Sequence, residues 1–231
     1  AYSGLMLPQA ASEHGVGIDK LLNVNFLVIG ITFFITEALL FYFAYRYRFS
    51  EKRTAYFYPE NNKLEIIWTV IPTIVLSALI VYGLNVWNDI TKPAPPESVV
   101  IEIYGKQFDW TARYAGKDNK LGKANFRLIT AENPLGLDSS DMHNSDDMLA
   151  KELHLPVNTT VLLKMRSQDV IHSAYLPHFR VQMNAVPGMT TQFFFKPTIT
   201  TAEMQKITKN PKFDYILLCN KICGVAHYGM K

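Results

Sequence analysis

Residues 24–44 read VNFLVIGITFFITEALLFYFA, a stretch of 21 residues in which Glu37 is the single charged side chain. Residues 66–86, IIWTVIPTIVLSALIVYGLNV, form a second stretch of 21 residues with no charged side chain. An α-helix rises 1.5 Å per residue, so about 20 residues cross a hydrocarbon core ~30 Å thick. Buried helices of soluble proteins are usually shorter and carry a polar face. We therefore predict transmembrane helices at 23–45 and 64–88, with Pro72 kinking the second.

The segment between these helices carries five cations. They are Arg46, Arg48, Lys52, Arg53 and Lys63. Residues 1–20 contain only Lys20, and the stretch just after the second helix offers only Lys92. Cytoplasmic loops are enriched in Lys and Arg, so 46–63 is predicted to be cytoplasmic, with the segment 1–22 and the C-terminus outside. Glu37 either faces a partner subunit or a water-filled path, or lies nearer the membrane interface than this assignment places it.

The rest of the chain is predicted to be an all-β domain. A Pro-rich linker at 89–97 precedes residues 98–231, where short apolar runs alternate with turn residues such as Pro187-Gly188. The predicted strands are Val99–Tyr104, Phe126–Thr130, Thr160–Met165, Thr191–Lys196 and Tyr215–Cys219, and Thr201–Thr208 is the one helical candidate. Strands at this spacing favour an antiparallel sandwich or a Greek-key barrel.

A turn-rich segment at about 116–150 interrupts this pattern and is predicted to be an insertion. Its residues 128–150 contain five acids and no Lys or Arg: Glu132, Asp138, Asp141, Asp146 and Asp147. The segment is either a solvated loop or an acidic docking surface that steers a basic partner. The net charge of +3, without a run of Lys or Arg, argues against a nucleic-acid partner.

Residues 219–230, CNKICGVAHYGM, contain the side chains that carry chemistry. Two thiols, an imidazole and a thioether follow an apolar strand, and soft sulfur ligands combined with imidazole select copper. Because a mononuclear blue-copper site needs one thiolate, the pair Cys219 and Cys223 indicates two coppers bridged by both sulfurs. A local disulfide is the alternative, but it would not explain the positions of His227 and Met230.

A second histidine must come from elsewhere in the chain. The candidates are His14, His143, His154, His172 and His178. His172 is favoured because it directly follows a strongly apolar strand. His154 alternates with Leu153 and Leu155, which is the pattern of a strand residue at the surface or facing a neighbouring strand.

Four motifs resemble subunit II of the haem-copper cytochrome c oxidases. They are residues 219–230, Asp169–Ser173 (DVIHS), Asn184–Gly188 (NAVPG) and Glu65–Pro72 (EIIWTVIP). The resemblance implies a two-helix transmembrane hairpin carrying a cupredoxin-like Greek-key sandwich with a binuclear CuA copper centre. It implies that Cys219 and Cys223 bridge the coppers and that His172 and His227 bind one each. Met230 and the backbone carbonyl of Lys221 would be weak ligands.

The resemblance also implies a function. The exterior domain would accept electrons from a cytochrome c, or from a tethered cytochrome c domain, and pass them to haem in subunit I, which reduces oxygen to water. This chain would need no catalytic acid, base or nucleophile. Its partners would be subunit I, the other oxidase subunits and the bilayer of a bacterial inner or mitochondrial-type membrane, with the copper domain on the periplasmic side. Glu65 matches a residue near the entrance of a proton-uptake path, unless it only anchors the helix.

Two departures from the family bear on this interpretation. Lys221 stands where the family commonly has a Glu that binds Mg²⁺ at the subunit I interface, and a lysine cannot ligate that ion. Phe108 stands where the family has the tryptophan that receives electrons, whereas Trp110 matches the second tryptophan. The alternative is that both are aromatic side chains of the core with no role in electron transfer. Two other functions stay open: a copper delivery or storage protein, and a structural subunit of a quinol oxidase, a relative that typically lacks these copper ligands.

Overall fold

A computed structural model describes residues 7–231. The described chain divides into two compact units, one formed by residues 7–16 with 90–231 and the other by residues 17–89. The first six residues of the predicted exterior segment lie outside the described range. Helix α1 spans Glu13–Arg46 and helix α2 spans Asn62–Thr91, with Pro72 inside α2. Each helix contains the predicted membrane span and extends beyond it.

Both helices expose their apolar side chains. Their most apolar 18-residue windows have mean hydropathies of 2.1 and 2.2, and 0% of either window is buried. A soluble protein would bury such surface, so these helices require a lipid or protein environment that is not part of the chain. Asn61 starts α2 by accepting a hydrogen bond from Leu64 N–H at 3.0 Å. Arg53 closes the end of α1 by donating to the carbonyls of Arg46 (2.6 Å) and Arg48 (3.2 Å).

The unit that contains residues 90–231 has eight strands in two sheets. The strands are β1 Val99–Lys106, β2 Asp109–Tyr114, β3 Met148–Ala150, β4 Val161–Ser167, β5 His172–Leu176, β6 Val181–Ala185, β7 Thr191–Phe195 and β8 Leu218–Cys219. One sheet has the order β3-β2-β1-β4-β7 and the other β6-β5-β8. Strand β4 shows strict alternation, burying Val161, Leu163, Met165 and Ser167. Val161, Leu163 and Met165 belong, with Ile101 and Phe195, to the core of a cupredoxin-like sandwich.

Three predictions about the strands were wrong. Residues Phe126–Thr130 do not form a strand: Phe126–Leu128 is a 3₁₀-helix capped by Asn125, and Phe126 is 75% exposed. Only Leu218 and Cys219 of the run 215–219 join a sheet. The sheet is also mixed rather than antiparallel, because β1 and β4 pair in parallel. Helix α3, by contrast, covers Thr201–Thr208 as predicted and begins with a capping box between Thr200 and Glu203.

The segment before α1 packs onto the β domain. Ala11 and Ser12 are fully buried. Ala11 N–H donates to His178 O at 2.7 Å, Thr198 N–H donates to Ala11 O at 2.8 Å, and Ser12 Oγ donates to Phe179 O at 2.6 Å. Backbone pairing of this kind fixes the segment as an added edge of the domain.

Candidate metal centre

Two neighbouring strands bring the predicted ligands together. His172 is the first residue of β5, and Cys219 ends β8, which pairs antiparallel with β5 through Ala174 and Cys219. Asn220 N–H donates to Ser173 O at 3.0 Å and extends this pairing by one bond. The chain then turns back through a 3₁₀-helix at His227–Gly229. Cys219 N–H donates to Met230 O at 3.0 Å, which closes the loop.

Six donor atoms converge inside this loop. Cys219 Sγ lies 3.8 Å from His172 Nδ1, 3.8 Å from Cys223 Sγ and 3.2 Å from Lys221 O. Cys223 Sγ lies 3.6 Å from His227 Nδ1 and 3.9 Å from Met230 Sδ. Each sulfur therefore has one imidazole and one weaker donor beside it, so the donors form two equivalent halves.

The site is largely withdrawn from solvent. The exposed fractions are 0% for His172, 9% for Cys219, 5% for Cys223 and 1% for Met230, whereas His227 is half-buried. Lys221 turns its carbonyl inward and its side chain outward. Two thiols, two imidazoles and a thioether grouped in this way suit copper, a metal that sulfur and imidazole ligands select.

The two cysteines are free thiols, so the local disulfide is not formed. Burial, together with the neighbouring Cys219, raises the pKa of the Cys223 thiol to about 11. The thiol is therefore uncharged at neutral pH until a metal ion displaces its proton, and metal binding releases protons.

Asp169 orients the His172 ring, a role that the sequence analysis did not assign. His172 Nε2 lies 2.8 Å from Asp169 Oδ1, and the other carboxylate oxygen accepts from Gln107 N–H at 2.7 Å. Burial by itself would raise the pKa of Asp169, but the hydrogen bonds from Gln107, His172 and Val170 lower it, so the group is a carboxylate. A carboxylate only accepts hydrogen bonds, so Nε2 carries the ring proton and Nδ1 is free for a metal. The DxxH spacing is the signal that could have revealed this pair.

The two aromatic candidates contact the site from the β1–β2 turn, which contains Phe108, and from the start of β2, which contains Trp110. Trp110 is 6% exposed and lies edge-on to the His172 ring, with 5.8 Å between ring centroids. Residues 219–230 are called the copper loop below. Phe108 packs against this loop at Gly224, where a Cβ atom would lie 2.9 Å from the Phe108 ring. Gly105 makes a similar close approach, since a Cβ there would lie 2.8 Å from Trp110 and 3.2 Å from His172.

The other four histidines are occupied elsewhere. His14 packs against Phe193, His143 pairs with Asp118, His154 lies near Glu152, and His178 packs between Phe213 and Tyr215. His154 also does not lie on a strand, contrary to the predicted alternation, because residues 153–156 carry no ladder pairing. Within residues 7–231, the one cluster of His, Cys or carboxylate groups with metal-binding proximity is His172, Cys219 and Cys223.

The four docking candidates do not share one environment, and the prediction that Asp147 is a surface charge was wrong. Its side chain is 1% exposed and pairs with the buried Arg113. Asp138, Asp141 and Asp146 are partly exposed and accept hydrogen bonds within the insertion. Hydrogen bonds from Ser140 lower the pKa of Asp138, and backbone N–H groups of Lys123 and His143 lower that of Asp141, so both are ionised at neutral pH.

Glu65 and Glu37 lie on the two apolar helices, far in sequence from the copper loop. Glu65 is exposed in the first turn of α2. Glu37 is half-buried on α1, nine residues before Arg46. A carboxylate in the first helical turn is favoured by the helix dipole whatever its other role, so both interpretations of Glu65 remain.

The fold and the site together define a protein with two apolar helices and a cupredoxin-like domain whose cluster of thiols and imidazoles fits copper. Comparison with known proteins narrows this class. Residues 1–86 match the family described as cytochrome c oxidase subunit II, transmembrane domain, and residues 99–231 match the periplasmic domain of the same subunit. The chain belongs to the cytochrome c oxidase subunit II family. It is therefore a membrane protein with a periplasmic domain, a subunit of an oxidoreductase complex, and a member of a family that carries CuA copper.

Individual relatives agree with this family. The chain is 37% identical over 216 residues to an alternative cytochrome c oxidase subunit 2 of Bradyrhizobium diazoefficiens, covering 93% of this chain and 73% of the relative. It is 26% identical to a cytochrome c oxidase subunit 2 of Cereibacter sphaeroides, covering 87% of this chain and 65% of that protein. A solved periplasmic domain of subunit II from Bradyrhizobium japonicum is similar with a TM-score of 0.36 and 23% identity, over 60% of this chain and 83% of that one.

Proposed function

We propose that this chain accepts electrons from a cytochrome c at a binuclear CuA centre and passes them to haem in subunit I, where oxygen is reduced to water. The observation that carries the proposal is the convergence of two free thiols, two imidazoles and a thioether where the start of β5 meets residues 219–230. Membership of the oxidase subunit II family supports the same role. Bound copper supplies reversible one-electron transfer, which none of these side chains provides by itself.

In this proposal, Cys219 and Cys223 would hold both ions, and His172 and His227 would hold one each. Met230 and the Lys221 carbonyl are the weak ligands. The protein's contribution is to fix these donors before the metal arrives and to exclude water from them. A fixed, dry ligand set changes little between oxidation states, and this favours fast electron transfer. The burial of the site favours relay over copper delivery, because a delivery site has to exchange its ion.

Electrons would enter through Phe108 in the β1–β2 turn and Trp110 at the start of β2. Phe108 contacts the copper loop at Gly224, and Trp110 contacts His172. Each half of the donor set therefore has one aromatic ring against it. Phe108 in place of a tryptophan is consistent with a donor that approaches differently, including a tethered cytochrome c domain.

Partner proteins would meet the domain at the copper loop. Ile222, Val225 and Tyr228 are 87%, 93% and 88% exposed, which is high for apolar side chains grouped on one loop. Subunit I and the donor are the partners that an electron relay requires at such a surface. The acids Asp138, Asp141 and Asp146 would add steering of a basic donor, without Asp147.

Steering by these three acids has a direct test. Changing Asp138, Asp141 and Asp146 together to Asn should slow reaction with reduced cytochrome c at low salt. The rates should converge near 1 M salt, where the Debye length is about 3 Å. Stopped-flow measurements across a salt series provide the readout. A rate that responds to neither salt nor the substitutions would reject the insertion as a docking site.

The topology proposed is N-terminus and C-terminus outside, with residues 46–63 in the cytoplasm. Ala11 and Ser12 hydrogen-bond into the β domain, so the start of α1 and the copper domain must lie on one side of the membrane. The cations of the connecting loop support placing that side outside the cytoplasm. We assign the chain to a bacterial inner or mitochondrial-type membrane.

A Mg²⁺ site of the family's usual form is not proposed. Lys221 has an exposed ammonium group where that site needs a carboxylate, and Mg²⁺ binds oxygen donors. The Lys221 carbonyl remains directed at Cys219, so the copper site does not depend on this side chain.

Glu65 is proposed to lie at the entrance of a proton-uptake path. In the assembled oxidase, Glu65→Ala should slow turnover at saturating electron donor. The copper spectrum should stay unchanged, because Glu65 lies on α2 and the proposed copper ligands lie in the β domain. Unchanged turnover would leave Glu65 as a helix anchor only.

Visible and EPR spectra of the purified, copper-loaded protein test the central proposal. A mixed-valence binuclear signal is expected, and it should be lost in Cys219→Ser and in Cys223→Ser, since a hydroxyl is a poor bridging ligand. Met230→Leu should keep copper but shift its potential. Met189→Leu, at a methionine that is 57% exposed, is the matched control and should behave as the parent. A mononuclear or absent copper signal in the parent would refute the proposal.

A further inference from the structure

Gln107 is not one of the proposed metal ligands, but it donates a hydrogen bond next to each half of the ligand set, to Asp169 and to the Cys223 carbonyl. With Phe108 it forms the two-residue turn between β1 and β2, whose last pair is Lys106 and Asp109. Its backbone N–H donates to Asp169 Oδ2 at 2.7 Å, and its side-chain Nε2 donates to the Cys223 carbonyl at 2.5 Å. One turn residue is thus hydrogen-bonded to two segments that are far apart in sequence.

The side-chain bond holds the copper loop where its backbone changes direction. The residue after Cys223 is Gly224, with φ of +142°, a conformation that L residues rarely adopt. Gly224 O then accepts from His227 N–H at 3.2 Å, which begins the turn carrying His227 and Met230. An amide bound to the Cys223 carbonyl therefore fixes the peptide plane between one thiol and the next two donors.

The hydrogen bond from the Gln107 backbone N–H to Asp169 supports the His172 half of the ligand set. By occupying Oδ2, Gln107 leaves Oδ1 of Asp169 directed at His172 Nε2, 2.8 Å away. The ring then presents Nδ1 to Cys219. Outer contacts of this kind set the orientation of a ligating imidazole.

We propose that Gln107 is a positioning residue that sets the spacing between the His172 half and the Cys223 half of the copper site. This inference rests on the proposed function. Asp169 orients one ligand, whereas Gln107 connects that ligand's support to the thiol loop across the site. Removal of an outer-shell hydrogen bond commonly costs about 10–100-fold in metal affinity. It also loosens the ligand set whose rigidity the electron-transfer role requires.

The test uses the full chain in detergent, with and without copper. Gln107→Leu removes the side-chain donor at similar size and leaves the backbone bond to Asp169 in place. We expect copper affinity to fall about tenfold or more, with an altered EPR hyperfine pattern and a shifted reduction potential. Gln182→Leu is the matched control, because Gln182 is exposed on β6, and it should match the parent in all three measurements.

Thermal unfolding of the metal-free protein separates positioning from general stability. A positioning role leaves metal-free stability close to that of the parent while the copper properties change. Lower metal-free stability with the parent's spectrum and potential would overturn the inference. If Gln107→Leu fails to fold, Gln107→Glu keeps the length and polarity but cannot donate when ionised, so it should change the same copper properties.

Failure of this inference is distinct from failure of the proposed function. A parent protein without a binuclear signal would overturn both. A parent with that signal, and Gln107 variants with the same spectrum, potential and affinity, would overturn the positioning role alone.

Discussion

Arg113→Met should destabilise the β domain more than any loss of a surface ion pair, because Arg113 is a buried hub. Its side chain is 1% exposed. It donates to Asp147, to Glu102 at 3.2 Å, to Gly122 O at 2.7 Å and to Asn144 Oδ1 at 2.6 Å. These bonds connect the sheet to the insertion of residues 116–150.

The loss of stability in Arg113→Met depends on which hydrogen bonds and ion pairs Glu102 and Asp147 keep. Glu102 still has Arg166, whose Nη2 lies 3.1 Å from Glu102 Oε2. Asp147 has a side chain that is 1% exposed, and among the described residues its Oδ1 has no hydrogen-bond partner. Without Arg113, Asp147 keeps the hydrogen bond from Gly122 N–H at 3.2 Å but is left as a buried carboxylate without its cation. Breaking a buried pair in this way costs about 3–5 kcal/mol. At 1.4 kcal/mol per factor of ten, that is more than about 100-fold in the unfolding equilibrium.

Hydrogen exchange of the full chain in detergent measures this effect locally. Amides of β1 and β4 should exchange faster in Arg113→Met by the factor above. Lys151→Met is the matched control: its pair with Asp109 is exposed, so it should cost less than about 1 kcal/mol. The double variant Arg113→Met with Asp147→Leu should recover part of the loss, because no charge is stranded. A cost near that of the Lys151 control would refute this account of the insertion.

Three further predictions concern the site and its surroundings. Asp169→Asn should weaken copper binding about tenfold or more in competition titrations, because the one amide oxygen cannot accept from both His172 Nε2 and Gln107 N–H as the two carboxylate oxygens do. Gly105→Ala should cost about 1–3 kcal/mol in chemical denaturation and alter the copper spectrum, since the new Cβ would lie 2.8 Å from Trp110. Burial, and to a smaller extent Arg180, lower the pKa of His178, so the unfolded chain binds more protons as pH falls below about 6.5 and stability decreases there. His178→Gln should flatten the fall in melting temperature between pH 7 and pH 5.

Each of these predictions has an outcome that contradicts it. Copper affinity equal to the parent's in Asp169→Asn would mean that the ring is oriented by packing alone. Gly229→Ala is the control for Gly105→Ala, because its Cβ would meet open space, and equal costs in both would remove the steric explanation. If the melting temperature of His178→Gln falls between pH 7 and pH 5 as much as that of the parent, groups other than His178 cause the fall.

The sequence by itself determined the features that depend on neighbouring residues. Two 21-residue stretches lacking all charge except Glu37 predict helices for a physical reason that needs no tertiary contact: each backbone polar group must be satisfied within its own segment. The spacing of Cys219, Cys223, His227 and Met230 likewise lies within one loop, and the structure brings these donors together. Helix α3 was predictable because its capping box is local. The roles of Glu65, Phe108 and the three remaining acids stay predictions.

Only the tertiary structure decided the features that join distant segments. The parallel pairing of β1 with β4 and the burial of Asp147 against Arg113 involve residues tens of positions apart. Nothing in the acidic pattern of residues 128–150 reveals that a cation on β2 neutralises one of its members. The run at Phe126 has strand-like side chains, yet Asn125 caps a short helix there, because side-chain hydrogen bonds to the backbone compete with ladder formation. Gln107 and Asp169 acquire their roles for the same reason. A hydrogen-bond partner is fixed by where the chain folds back, and residue type alone does not specify that place.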